Sequence, residues 1–195
     1  MLQRARNPEE RDEFIAGLGI SVERASRLVD QLLTLAQLDP QAGPATVLRQ
    51  IDLAGLLGEQ VESWQEQCAQ RGLALKVDLQ PAPCLLEPDS LRMLVRNLVD
   101  NAMRYTPVPG IIRIACGQQD GVSFLRVKDT GPGIAAELRE RVFERFVRLA
   151  GAQVHGSGLG LSIVRRIADS HQASITLGEG ENNQGLAVTL TFPPA

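Results

Sequence analysis

From Glu10 to Leu38, apolar residues recur at alternating steps of four and three: Phe14, Leu18, Ala25, Leu28, Leu32 and Leu35, with Ser21 as the one polar break. A second stripe of Ile15, Val22, Val29, Leu33 and Ala36 widens that face beyond a two-stranded seam. The spacing predicts a long amphipathic helix. Its face would be buried against several helices, as in a four-helix bundle, or against the rest of this chain. Gly17 and Gly19 weaken its first turns by about 1 kcal/mol each. Asp39-Pro40 stops it, and residues 41–47 carry linker composition.

After the linker the period alternates between two and 3.6. Leu48–Leu53 is expected as a short strand, Ala54–Gln70 as an amphipathic helix and Leu73–Leu79 as an alternating strand. A short strand follows near Cys84–Leu86. Ser90–Tyr105 has a helical apolar face of Leu91, Leu94, Val95, Leu98, Val99 and Ala102, with Asp89 or Ser90 as N-cap. Ile111–Ala115 and Ser123–Val127 form a strand pair joined through Gln119-Asp120-Gly121. Ala135–Phe143 is expected as a short helix, Val147–Gly156 as a loop and Leu159–Ser170 as a helix. Ser174–Leu177 and Leu186–Phe192 close the chain as a hairpin. The fold class is α/β: two layers, helices on one face of a mixed sheet, preceded by one long helix.

A length of 195 residues fits one good-sized domain plus an added element. Hydrophobic residues make up 44% and charged residues 22%, within the usual range of globular proteins. A net charge of −3 argues against nucleic acid as a partner, which selects strongly basic faces. Cys68, Cys84 and Cys116 stand far apart and form no metal-binding pattern, so they are expected as reduced, buried small hydrophobes. No stretch reaches the roughly 18 consecutive apolar residues of a membrane span. The charged opening, Gln3 to Asp12, reads as a cut through a longer protein whose membrane segments would lie upstream.

Four short segments carry the candidate chemistry: Asn97-Leu-Val-Asp-Asn101, Asp129-Thr-Gly-Pro-Gly133, Phe143-Glu-Arg-Phe146 and Gly156-Ser-Gly-Leu-Gly160. Asn97 and Asn101 lie one helical turn apart, and asparagine is a mediocre helix former. Their amide oxygens suit a hard divalent cation that already carries the negative charge of a phosphate chain; alone, the pair would equally fit two solvated amides. Arg104 offers a guanidinium to phosphate oxygens, and Tyr105 an aromatic edge to a base. Asp129, at the end of an apolar strand, offers an acceptor to an exocyclic amine such as adenine N6. Gly131 and Gly133 around Pro132 allow a sharp turn beneath the base, although alone the segment reads as an ordinary turn. Gly156 to Gly160 opens a helix, where backbone N–H groups and close approach suit an anion. It is neither a dinucleotide fingerprint nor a Walker A loop, since no strand precedes it and no Lys-Ser/Thr pair follows.

In order and spacing these segments resemble the N, G1, F and G2 boxes of the sensor histidine kinases of two-component systems. The Arg24–Leu35 stretch resembles the second dimerisation helix, most like that of the QseC- and PmrB-like kinases. The resemblance implies a Bergerat-type α/β sandwich over 48–195, a linker at 41–47, and the C-terminal part of a helical dimerisation domain over 1–40. It implies ATP and Mg²⁺ as ligands, with Asn101 on the metal and Asp129 reading adenine. Asn97, Arg104, Tyr105, Gly131, Gly133 and Ile134 would line the nucleotide, while Gly156, Ser157, Gly158, Leu159, Gly160 and Leu161 hold phosphates beneath a lid at Val147–His155. It also implies a homodimer in the full-length protein, a response regulator receiver domain as partner, and a cytoplasmic portion of an inner-membrane sensor.

Departures from the family pattern shape the expected activity. The family's phosphoacceptor lies in a His-Glu-x-x-Arg-Thr-Pro motif on a first dimerisation helix, and this sequence has no such motif. Its two histidines are His155, in the lid, and His171, expected in a structural role at a helix end. Val147 replaces a common aromatic after the F box, and Arg148 is a candidate contact for the γ-phosphate. Related ATPases of the gyrase, chaperone and mismatch-repair types place an acidic residue one turn before the metal-binding asparagine, where it activates water or a hydroxyl. Here that position is Asn97, and an amide is no general base. The sequence therefore points to transfer onto a histidine, with a nucleotide-binding regulatory module without phosphotransfer as the alternative.

Overall fold

The computed structural model describes residues 48–147, 157–180 and 184–194. The long helix expected at 10–38 and the linker at 41–47 lie outside the described residues.

Strand β1 (Arg49–Asp52) pairs antiparallel with β3 (Pro83–Leu86) in a small two-stranded sheet. Helix α1 (Leu53–Gly58) begins at Asp52, whose carboxylate accepts hydrogen bonds from the Ala54 N–H at 3.3 Å and the Ala82 N–H at 2.7 Å. The single helix expected over Ala54–Gln70 is instead two. The first ends at Gly58, a weak helix former, with the Gln60 N–H closing a tight bond to the Leu57 carbonyl. Helix α2 (Val61–Gln70) then buries Trp64 and Cys68.

The main sheet has five strands in the order β2-β4-β5-β7-β6. Here β2 is Leu73–Leu79, β4 Gly110–Gln119, β5 Val122–Asp129, β6 Ser174–Glu179 and β7 Leu186–Thr191. Strands β2 and β4 run parallel and the other neighbours antiparallel. The β4–β5 turn at Asp120 and Gly121 has φ of 53° and 77°, the pair of positive angles that lets a two-residue hairpin follow the strand twist. Period-two alternation turns Ile112, Ile114 and Cys116 of β4, and Leu125, Val127 and Asp129 of β5, to the buried face. Ile112 is paired with Asp129 in the ladder. A carboxylate thus occupies the last place in a row that is otherwise core.

Helices α3 (Pro88–Tyr105) and α4 (Gly160–Ser170) pack on that face, with α1 against β2 and β4. Helix α3 buries Leu91, Leu94, Val95, Leu98, Val99 and Ala102, and α4 buries Ile163, Val164, Ile167 and Ala168. Each such Leu, Ile or Val contributes roughly 1.5–3 kcal/mol by leaving water. The N-cap of α3 is Glu87 rather than Asp89 or Ser90: its carboxylate takes the N–H groups of both, and Pro88 opens the helix where its missing N–H is harmless. The helix ends at Thr106, held extended before Pro107, with its hydroxyl donating to the Ala102 carbonyl at 2.7 Å. The helix expected at Ala135–Phe143 is two 3₁₀ turns, Ala136–Leu138 and Arg141–Phe143, of which only Val142 is buried. All three cysteines are buried and free; burial pushes the Cys84 thiol up to about 12 and the Cys116 thiol to about 11.

Candidate nucleotide site

Helix α3 presents Asn97 and Asn101 to the first residue of α4. A Cβ on Gly160 would stand 3.1 Å from Nδ2 and 3.3 Å from Oδ1 of Asn101, and 3.4 Å from Oδ1 of Asn97. A Cβ at 160 would ask the Asn101 amide to give by a few tenths of an ångström and would stand at the edge of ordinary contact with Asn97. Asn97 is 9% exposed and donates from Nδ2 to the Met93 carbonyl at 2.9 Å, so one turn of α3 fixes its orientation.

One helical turn beyond Asn101, the end of α3 meets the turn after β5. A Cβ on Gly131 would lie 2.8 Å from the Tyr105 carbonyl oxygen and 2.9 Å from Oδ1 of Asp129. Asp129 is 8% exposed, and its Oδ1 accepts from the Gly131 N–H at 2.8 Å and the Leu186 N–H at 3.2 Å. Burial pushes this carboxyl above its ordinary range, with the two N–H groups pulling the other way. The following residue is latched to β4: the Thr130 N–H donates to the Ile111 carbonyl at 3.1 Å, and its hydroxyl oxygen accepts from the Ile111 N–H at 2.9 Å. Ile134 closes the turn, its carbonyl accepting from Nε of Arg139, which also donates to the Leu177 carbonyl on β6.

At the start of α4 the N-cap Leu159 supplies no capping side chain, and the first backbone bond inside the helix runs from Ile163 N–H to the Leu159 carbonyl. The N–H groups ahead of it are those a helix leaves without an internal partner. Ser157 braces the loop, its hydroxyl oxygen accepting from the Leu159 N–H at 3.3 Å. Gly158, at φ +71°, lies against Phe146, where a Cβ would come within 2.8 Å of the Phe146 carbonyl carbon. The Phe146 N–H donates to the Gly158 carbonyl at 3.0 Å, and Phe143 lies under the Arg165 guanidinium at 5.3 Å. The F-box segment is thereby joined to both the glycine loop and α4.

The structure thus forms two groups one turn apart along α3: Asn97 and Asn101 against Gly160, and Tyr105 with Asp129 and Gly131, Gly133 lying beside Gly185; Ser157, Gly158 and Leu159 lead into Gly160, and Leu161 is in the first turn of α4. Arg104 sits in the last turn of α3 and makes no ion pair with another described residue. Gly156, Arg148 and most of the expected lid, including His155, lie outside the described residues. His171 takes the expected helix-end position: Nε2 accepts from the Glu87 N–H at 3.1 Å and Nδ1 meets the Ile167 carbonyl at 2.8 Å. Sequence reasoning missed Gly180, Gly185 and Leu186, which close on Asp129 from the β6–β7 connection. The signal for them was a glycine on each side of a polar run between two apolar strands.

Residues 86–195 match the family of histidine kinase-, DNA gyrase B- and HSP90-like ATPases. Sensor protein QseC of Salmonella typhi is 38% identical over 174 residues, covering 88% of this chain and 38% of that protein. Sensor protein kinase PmrB of Pseudomonas aeruginosa is 36% identical over 194 residues, covering 97% of this chain and 40% of that protein. This chain therefore spans about two fifths of the length of these relatives. The crystal structure of full-length ShkA in complex with AMPPNP superposes with a TM-score of 0.78 at 28% identity, over 100% of this chain and 41% of that one. The match over 86–195, more than half of the chain, and relatives at 36–38% identity place the chain in the histidine kinase-, DNA gyrase B- and HSP90-like ATPase family.

Proposed function

We propose that this chain is the Mg-ATP-binding catalytic portion of a two-component sensor histidine kinase, most like QseC and PmrB. The observation that carries the reading is the meeting of Asn97 and Asn101 with Gly160, which sets two neutral amides beside a helix start. Among the described residues no three His, Cys, Asp or Glu side chains gather as a metal cage. A divalent ion held by Asn101 would then be balanced by the nucleotide's own phosphates, and Mg²⁺ favours such shared coordination. Bound there, it would neutralise charge developing on the transferred group.

The residues divide the work. Asp129, acceptor-only when ionised, selects an amine-bearing base over one that presents a carbonyl. The loop from Gly156 to Gly160 and the first N–H groups of α4 hold phosphate oxygens, with Arg104 and Arg148 supplying positive charge. Tyr105 lines the base, and the segment Val147 to His155 covers the nucleotide. The γ-phosphoryl moves in line from the β-phosphate oxygen to a ring nitrogen of a histidine on the first dimerisation helix, and ADP leaves. Asn97 offers no base to activate water, which favours a histidine acceptor over hydrolysis. A receiver domain of a response regulator takes the phosphoryl group next, and residues 1–40 contribute to a homodimer at the cytoplasmic side of a membrane-bound sensor.

His171 is not the acceptor, because both its ring nitrogens are engaged in a buried site. The chain alone is accordingly expected to bind Mg-ATP without phosphorylating itself. The experiment is to supply a histidine-bearing dimerisation domain of a QseC-like kinase in trans with radiolabelled ATP. Acid-labile, base-stable label on that domain supports the reading. Label on this chain alone, or rapid release of inorganic phosphate with none on the domain, overturns it.

A further inference from the structure

We propose that Gly185 and the Leu186 N–H form a clamp that orients the Asp129 carboxylate, so that Oδ1 is held by the protein and Oδ2 is the atom that selects the adenine amine. The proposal rests on the reading of Asp129 given above and assigns the selectivity to a positioning device 56 residues further along the chain.

Three observations converge on Gly185. Its φ is +79°, an angle that glycine adopts freely and other residues rarely do. A Cβ there would overlap the Asp129 carbonyl oxygen and stand 2.6 Å from its carbonyl carbon and 2.9 Å from Cα of Thr130. On the other side, the Gly185 carbonyl lies against Gly133, where a Cβ would come within 2.7 Å of that oxygen. Gly185 therefore fills the space between the two ends of the Asp129–Gly133 turn. Gly180 completes the approach: its N–H donates to the Gly185 carbonyl at 3.2 Å, and a Cβ on it would overlap the Asp129 carbonyl oxygen as well.

This packing delivers the next N–H in the chain to the carboxylate. Leu186 donates to Oδ1 at 3.2 Å, alongside the Gly131 N–H at 2.8 Å, while no described residue donates to Oδ2. Two donors on one oxygen fix the rotation of the carboxylate and leave the second oxygen's lone pairs for a ligand. Register supports the placement. Glu179 pairs with Leu186 at the mouth of the β6–β7 hairpin, and Lys128, next to Asp129, pairs with Ala187. Displacing Gly185 would free Asp129 to rotate without disturbing the phosphate loop or the asparagines of α3. The affected quantity is base selectivity, which a general loss of packing would not single out.

The test compares Mg-ATP with Mg-ITP, whose base carries a carbonyl in place of the amine, on the full 195-residue chain and on Gly185→Ala. The native chain is expected to prefer ATP. In Gly185→Ala the Kd for ATP should rise about tenfold, the scale of one hydrogen bond to a charged group, while the Kd for ITP stays within twofold. An ATP preference that survives Gly185→Ala, or equal weakening of both nucleotides, overturns the clamp alone. Equal binding of ATP and ITP by the native chain overturns the reading of Asp129 and the clamp's function with it. Should Gly185→Ala fail to fold, amide exchange decides the matter. The Leu186 N–H should exchange slowly in the native chain and at least tenfold faster in Asp129→Ala, and equal rates in the two proteins would overturn the clamp.

Discussion

Gly160 lies so close to Asn101 that a Cβ on the glycine would stand 3.1 Å from the asparagine's Nδ2. This contact joins the two helices that carry the site, since Gly160 opens α4 and Asn101 sits in the last turns of α3. It separates two roles that a glycine can play. In a helix, alanine is favoured over glycine by about 1 kcal/mol; here that gain is set against displacement of the Asn101 amide, the proposed metal ligand.

Gly160→Ala is therefore expected to leave the melting temperature within a few degrees of the native value while weakening Mg-ATP binding about tenfold, the scale of one lost charge-assisted contact. Scanning calorimetry and a binding titration on the same sample check both halves. Unchanged affinity would show that Asn101 does not need its observed position.

Asp129 illustrates a site that is held against stability. Burial raises its carboxyl above the ordinary range, so between its unfolded and folded titration ranges the folded state binds more protons. Its contribution to stability is thus most favourable at low pH and falls as pH rises through the folded range. Asp129→Asn keeps a carbonyl oxygen for the N–H groups of Gly131 and Leu186 and removes the buried charge. The variant is expected to melt at or above the native temperature at pH 7 without nucleotide, with the difference shrinking as pH falls towards 4. A lower melting point at pH 7 would contradict this account of the carboxylate.

The far ends of α3 and α4 are joined by His171 and Glu87. The Glu87 N–H donates to Nε2 of His171, so that nitrogen carries no proton, and the proton on Nδ1 goes to the Ile167 carbonyl. His171→Leu would leave the half-buried Glu87 N–H without its partner, at about 1 kcal/mol, or roughly 2–4 °C in Tm. Glu87→Ala removes the N-cap of α3, at about 0.5–2 kcal/mol. For the Glu87 carboxyl, burial alone would raise its titration range, but hydrogen bonds from Ser90 and Asp89 outweigh it and hold the group below its ordinary value. Its contribution is accordingly complete above about pH 4.5 and lost as pH falls through the lowered folded range. Thermal melts of both variants from pH 3 to 7 check this, and a Glu87→Ala penalty that persists undiminished in acid would contradict it.

Much of this was legible in the sequence because the relevant rules are local. The period-two runs that became β2, β4 and β5 alternate, since one face of the sheet is core and the other is not. The apolar stripe of α3 is set by residues three and four apart, and Asn97 and Asn101 stood out as two poor helix formers one turn apart on another face. The failures arose where distant residues decide. The N-cap of α3 shows this in part: Glu87, which caps in place of Asp89 or Ser90, is also held through its N–H by a histidine 84 residues away. The Ala135–Phe143 segment winds into 3₁₀ turns because it buries a single side chain and Arg139 ties it to Ile134 and to Leu177 on β6. The glycines at 180 and 185 resembled an ordinary hairpin connection, and only the folded register reveals that they close on Asp129.

The central claim is that Asn101 and Asp129 serve one Mg-nucleotide site, and calorimetric titration of ATP with and without Mg²⁺ tests it most directly. The native chain is predicted to bind ATP, to bind it more weakly when Mg²⁺ is withheld, and to lose at least tenfold in affinity in Asp129→Asn. Binding that ignores both Mg²⁺ and Asp129, or no binding by the native chain, would contradict the account.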